Sequence, residues 1–326
     1  MIKNMIPMSL TTGKLSQNVS TLREQIKITS SEAVTGRQSD VTSHLSGRIG
    51  QAMLGQKALT DIANDTGLLD LRGSRLDIMQ QTLTHVQENI GDLSTRMQEA
   101  IGFGDEMNKG TVARDARLEL QSSLSALNAR HGQRFLFSGD ATSTPPFAGA
   151  EQLLGDLQIL AAGSADSADF DQQLDAYFNS PDGGWQSTIY QGTASASDSE
   201  AVLAIDPAVT QVIRSLAVLS LSEPGGALEG LADPDTARQN AATSLLSGET
   251  RLTNLRAEVG IDQKRVADQK LNLEAEKTIL TEALDSMTAR DQYEAAAELK
   301  VLEQNLEASY LLTARLSGLS LLNFLR

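Results

Sequence analysis

The chain has no cysteine in 326 residues, which removes disulfides, thiolate metal sites and a cysteine nucleophile at once. Its three histidines, His44, His85 and His131, are scattered and form no ligand spacing. No apolar run approaches about 18 residues, so no stretch reads as a membrane-spanning helix. Near the start, Ile2, Met5, Ile6 and Met8 are interrupted by Asn4, Pro7 and Ser9, so no cleaved secretory signal is expected. The catalytic spacings G-x-S-x-G, H-E-x-x-H, G-x-x-x-x-G-K-[ST] and G-x-G-x-x-G after a strand are all missing. Gly13-Lys14 lacks the upstream glycine of a phosphate loop, and Gly47 to Gly50 reads as a helical small-residue pair. Asp166, Asp169, Asp171 and Asp175 lack the glycine and closing glutamate of a calcium loop, and read as a solvated acidic segment. An enzyme is therefore not expected, nor a metal or other cofactor. A net charge of −15 argues against a nucleic-acid partner.

That charge is segregated. Between Pro145 and Pro234 stand thirteen acids and one base, Arg214, a net −12 that leaves about −3 for the rest of the chain. Nearly neutral ends can pack against copies of themselves, while an acidic middle prefers water. Six of the seven prolines and eight of the twelve aromatics also fall between His131 and Pro234. In that stretch, Arg134-Phe135-Leu136-Phe137-Ser138 and Trp185-Gln186-Ser187-Thr188-Ile189-Tyr190 read as strands. Short helices are expected over 151–162, 170–179 and 207–220, the last capped by Asp206 ahead of Pro207. Trp185 and Tyr190 read as core of this part rather than as a sugar-binding face.

What the ends have in abundance is helical periodicity. Leu15, Val19, Leu22 and Ile26 step 4-3-4 along an opening helix that Thr35-Gly36-Arg37 interrupts. Ser39-Asp40 starts a second run. From there Ile62, Leu69, Leu76, Leu83, Ile90 and Met97 recur every seven residues, with Met79, Val86, Leu93 and Ala100 three residues after the last four. Gly102-Phe103-Gly104 and Asn108-Lys109-Gly110 end that helix, and Thr111 is expected to cap another. Beyond 234 the chain holds no proline and three glycines. Leu252, Val259, Val266, Leu273, Leu280 and Met287 repeat by sevens there, after an Asp233-Pro234 start signal. Such a seam needs a cover, and the two heptad runs supply one another if they lie antiparallel. A continuous helix over 235–326 would be on the order of 140 Å long, with a break near 288–292 left open. The closing run, with Leu306, Tyr310, Leu312, Leu316, Leu319, Leu322, Phe324 and Leu325, is too apolar to stand alone in water.

The expected fold is mostly α: a long antiparallel coiled-coil rod formed by both chain ends, with a small α+β domain inserted in the middle. The expected divisions are a terminal assembly helix over 1–38, rod halves over 39–130 and 235–293, an outer domain over 131–234, and a second assembly helix over 294–326.

Four segments resemble the flagellin superfamily, and within it the hook-associated proteins of the hook–filament junction. Thr35-Gly36-Arg37 resembles the family's N-terminal "TG-basic" element. Arg134-Phe135-Leu136-Phe137-Ser138-Gly139 with Pro146-Phe147 resembles its "YLFSG…PF" element. Gly184-Trp185 through Ile189-Tyr190-Gln191-Gly192 is similar to a segment of the family's outer domain. Leu319-Ser320-Leu321-Leu322-Asn323-Phe324-Leu325 resembles its "LSLLNYL" terminus. After Ser39-Asp40, where the family continues with a second acid and a small residue or proline, this chain has Val41, Thr42 and Ser43. The resemblance implies an extracellular structural subunit of the bacterial flagellum, exported unfolded by the flagellar type III apparatus, with an export chaperone as a possible helper. It implies self-association and neighbours among the axial proteins, namely the first hook-associated protein and flagellin. Two alternatives accompany it: flagellin of the filament itself, and a cytoplasmic coiled-coil adaptor.

Overall fold

The computed structural model describes residues 8–324, with side chains placed from 13 to 315. The chain divides into two compact units: Met1–Thr66 with Asn272–Arg326, and Gly67–Leu271. Helices α3 (Ile49–Ile90) and α9 (Pro234–Thr288) contribute residues to both.

In the first unit, α1 (Met8–Thr35) packs on α10 (Gln292–Phe324). They run antiparallel: the Tyr310 hydroxyl accepts from Arg23 Nε at 2.8 Å, while Gln292 Nε2 donates to the Val34 carbonyl at 3.3 Å. Helix α1 ends where Gly36 turns left-handed at φ +68°, a conformation that costs a glycine little and a side chain much. Asp40 then caps the short α2 (Val41–Leu45), accepting from the Ser43 N–H at 3.0 Å.

The second unit is built on the heptad seam. Within it the later part of α3 and the earlier part of α9 are antiparallel: Gln87 meets Arg256 at 2.6 Å, Asp77 meets Gln263 at 2.6 Å, and Asp70 meets Lys270 at 2.5 Å. Leu69, Leu76, Leu83, Ile90 and Met97 are all buried here, as are Met79, Val86, Leu93 and Ala100. Helix α3 stops at Ile90, however, and α4 (Leu93–Phe103) begins after Gly91 and Asp92, so the expected single helix is two. The seam survives because Leu93 and Met97 stay buried on the far side of the break. Helix α5 (Glu106–Leu127) begins earlier than expected. Asp105, not Thr111, is its N-cap, accepting from the Asn108 N–H at 3.0 Å, and Lys109 and Gly110 lie inside the helix.

The strand content is smaller than the sequence suggests. Among the described residues the one sheet pairs β1 (Arg130–His131) with β2 (Arg134–Phe135), antiparallel, with Arg130 opposite Phe135, and two isolated bridges join Arg37 to Ala289 and Phe147 to Tyr190. Trp185–Ile189 is a wide helical turn rather than a strand. Trp185 and Ile189 are four apart, so the same spacing that alternates along a strand also puts both on one side of a helix. Gly183 and Gly184 permit it, since a Cβ on either would lie 2.3 Å and 2.2 Å from Tyr177 atoms. Trp185 is fully buried, stacked on Phe147 with centroids 5.1 Å apart, and its indole N–H donates to Thr210 Oγ1 at 3.2 Å. Helices α6 (Glu151–Gly163), α7 (Ser167–Asn179) and α8 (Pro207–Ser220) lie where expected. Helix α8 packs on α5, with Val212, Ile213 and Leu216 fully buried. Helix α9 starts at Pro234 as the Asp233-Pro234 pair predicts, and the Asp233 carboxylate also takes the Ser167 N–H and hydroxyl at the start of α7, at 2.7 Å each.

A polar cluster built on two buried cations, Lys109 and Arg238, and more exposed acids joins α5 to α9. Lys109 Nζ reaches Glu106 at 2.8 Å and Asp235 at 2.8 Å, and Arg238 bonds Asp235 at 2.7 Å and Glu229. Burial alone would raise the Asp235 carboxyl, but its bonds to Lys109 and Arg238 outweigh that and hold it below its ordinary value.

The seam makes a direct forecast. Leu83 is 0% exposed and Leu71, on the same helix, is 54% exposed. Leu83→Ala should cost ~2–5 kcal/mol in urea denaturation, whereas Leu71→Ala should cost under ~1 kcal/mol.

Candidate assembly interface

Exposed apolar side chains occur in both units, and in the first they flank a helix pair that is only partly covered. Leu15, Val19, Leu22 and Ile26 are half-buried along α1. On α10 the matching row is Ala295, Leu299, Leu302, Leu306 and Ser309, stepping 4-3-4-3, with Ala295 fully buried and the rest half-buried. Two neighbouring helices thus cover one stripe each and leave the remaining sides in water.

Those remaining sides are apolar in part. Val301, Leu311 and Leu312 are 54%, 59% and 52% exposed, and Tyr293 is almost fully exposed. Tyr310 is partly exposed, with Arg23 lying 5.6 Å from its ring centroid. On one side of the pair an open groove of about 540 Å³ runs between the helices, bordered by Asn18, Leu22 and Gln25 of α1 and by Asn305, Ala308 and Leu312 of α10. No charged residue borders it. An open, uncharged groove beside exposed leucines is a surface that gains by being covered.

The end of α1 and the start of α10 are tied together where α1 and α9 stop. Arg37 and Ala289 form an antiparallel bridge. Gln38 N–H donates to the Thr288 carbonyl at 2.9 Å, and Arg290 N–H to the Gly36 carbonyl at 2.8 Å. The Arg290 guanidinium lies 3.8 Å from Glu32 and 2.6 Å from Glu298, and Glu32 accepts the Ser39 N–H at 2.8 Å. Glu32 is buried, so its charge is tolerated because Arg290 and the Ser39 N–H face it.

Other residues read from the sequence fall as follows. Ile62, Leu69, Leu76, Leu83, Ile90, Met97, Leu252, Val259 and Val266 are buried, whereas Leu273, Leu280 and Met287 are half-buried. The side chains of Leu316, Leu319, Leu322 and Phe324 lie outside those described, and Leu325 lies outside the described residues altogether. Sequence reasoning missed Leu299 and Leu302, although their spacing to Leu306 was there to be counted. It also missed the Glu32, Arg290 and Gln292 joint, for which Gly36 and the break left open near 288–292 were the visible signs. Among the described residues no group of acids and histidines is arranged to hold a metal ion, and no helix is long and apolar enough to cross a membrane.

The family described as the bacterial flagellin C-terminal helical region matches residues 247–325. That stretch of the chain is similar to the helical region that closes bacterial flagellins. The matched stretch takes in most of α9 and α10 to its end, and includes the exposed Leu311 and Leu312. No curated protein matches the chain. The match supports the flagellin superfamily, a structural rather than catalytic group, and with it a structural subunit of the bacterial flagellum. Within the matched stretch the break at 289–291 is a paired joint, made with the break that follows α1.

Gly36→Val tests that joint. Its Cβ would meet the Gln292 side chain at 3.3 Å on a left-handed backbone, a strain of ~1–2 kcal/mol or more for a branched side chain. Amide hydrogen exchange near 30–40 and 286–298 should quicken by roughly tenfold, with the 67–271 unit unchanged.

Proposed function

We propose that this chain is a hook-associated subunit of the flagellar hook–filament junction. It works by co-assembly: neighbouring subunits and axial proteins cover the apolar sides that α1 and α10 leave exposed. The observation that carries the reading is the exposure of Val301, Leu311 and Leu312 within a segment of flagellin type. Side chains of this size in water stabilise association by about 1.5–3 kcal/mol each when fully covered.

The junction assignment, as against filament flagellin, draws its support from Arg134 through Gly139 and from Leu319 through Leu325, the segments that resemble the junction proteins. Partners on this reading are further copies of the chain, the first hook-associated protein on the hook side and flagellin on the other, reached after export through the flagellar type III apparatus. The acidic stretch over 131–234 faces outward as an inserted domain, and 1–38 and 294–326 form the assembly ends. A cytoplasmic coiled-coil adaptor would leave the match over 247–325 without a role.

Removing 306–326 is the test. The truncated chain should remain soluble and helical, yet fail to enter flagella in a strain lacking the full-length protein. Incorporation at the wild-type level would contradict the proposal. In the same strain, immunogold against the intact chain should mark one band at the distal end of the hook, and label along whole filaments would transfer the assignment to flagellin.

A further inference from the structure

The 67–271 unit holds a cleft of about 350 Å³ between the end of α7, the turn at Trp185–Ile189, the first turns of α8 and the middle of α9. Its surroundings are the most acidic part of the chain, yet no residue lining it is acidic. Two arginines line it instead, Arg214 and Arg251.

The two differ in what they have left to offer. Arg214 is mostly buried and already neutralised, bonded to Asp175 and 3.5 Å from Asp171. It contributes N–H donors but little net charge. Arg251 has no hydrogen-bond or ion-pair partner among the described residues, so its positive charge is unspent. Around them stand neutral groups with spare capacity. Gln211 donates its amide hydrogens to the Ser244 carbonyl at 3.0 Å and Ser247 Oγ at 2.7 Å, leaving its own oxygen to accept. The Thr210 hydroxyl accepts from Trp185, leaving its hydrogen to donate. Phe178 and Pro207 supply apolar wall.

One free guanidinium, uncharged donors and acceptors, and an apolar wall describe a ligand with one carboxylate, several hydroxyls and a C–H face. We propose that this cleft binds a sugar acid of the hexuronate class. A neutral hexose leaves Arg251 without a counter-charge, and a doubly charged phosphate is disfavoured by Asp171 and Asp175 behind Arg214. The ring size suits the cleft, which lies near the lower end of the ~300–1,000 Å³ typical of small-molecule sites.

The test titrates the full-length chain with D-glucuronate, D-glucose and acetate, read by saturation-transfer NMR, and repeats the titration on two variants. Arg251→Ala removes the free charge from an exposed position. Arg117→Ala removes an exposed arginine of α5 paired with Glu151, and serves as the control. Saturable glucuronate binding is expected, about tenfold or more weaker in Arg251→Ala and unchanged in Arg117→Ala, with glucose and acetate each binding at least about tenfold more weakly than glucuronate. Absence of saturable glucuronate binding would overturn the proposal. So would acetate or glucose binding as tightly as glucuronate, or an Arg251→Ala variant that binds it undiminished while circular dichroism shows it folded.

Discussion

Everything in this molecule rests on one constraint: a helix with an apolar stripe must lie against another helix that covers it. In the 67–271 unit the constraint is met internally. Leu76, Leu83 and Ile90 of α3 and Leu252, Val259 and Val266 of α9 are all buried, and polar pairs such as Gln87 with Arg256 border the seam. The polar pairs fix register and contribute modestly, since exposed pairs of this kind are worth about 0–1 kcal/mol. Burial of the leucines supplies most of the stabilisation. In the other unit the same constraint is met only in part. Helices α1 and α10 bury one stripe each, and Leu311 and Leu312 stay in water. The rule is satisfied in one place and left open in another, and the open place is the one that co-assembly, as proposed, would complete.

The paired joint gives that incompleteness a form. Because Arg290 N–H donates to the Gly36 carbonyl and Gln38 N–H to the Thr288 carbonyl across the two breaks, the end of α1 and the start of α10 are held together independently of their side-chain contacts. The charged lock around it, with Glu32 facing Arg290, fixes which residue meets which. Such a lock adds specificity of register more readily than net stability, because two charges lose their water to form it.

Much of this was legible in the residues. Seven-residue spacing predicted the seam, and each residue of the N-terminal heptad run, from Ile62 to Met97, is buried. Asp206-Pro207 predicted the start of α8, and Asp40 the start of α2, because capping is local chemistry. What failed was decided by packing. Trp185 to Tyr190 alternates as a strand does, but a large indole with a partner in Thr210 and a stack on Phe147 drew it into a helical turn. Gly102 through Gly110 held several plausible stop and start signals, and choosing Asp105 over Thr111 required knowing that Lys109 would find Asp235 far along the chain. The Glu32 and Arg290 pairing joins residues more than 250 positions apart, and no local pattern encodes such a meeting.

The absence of cysteine makes one measurement unusually clean. A single Leu311→Cys substitution, labelled with a polarity-sensitive fluorophore, reports only on the exposed side of α10. In the isolated chain the probe should emit as it does in water, and on incorporation into flagella its emission should shift to the blue as neighbours exclude solvent. A probe that is already shielded in the isolated chain, or that remains in water after incorporation, would contradict the account.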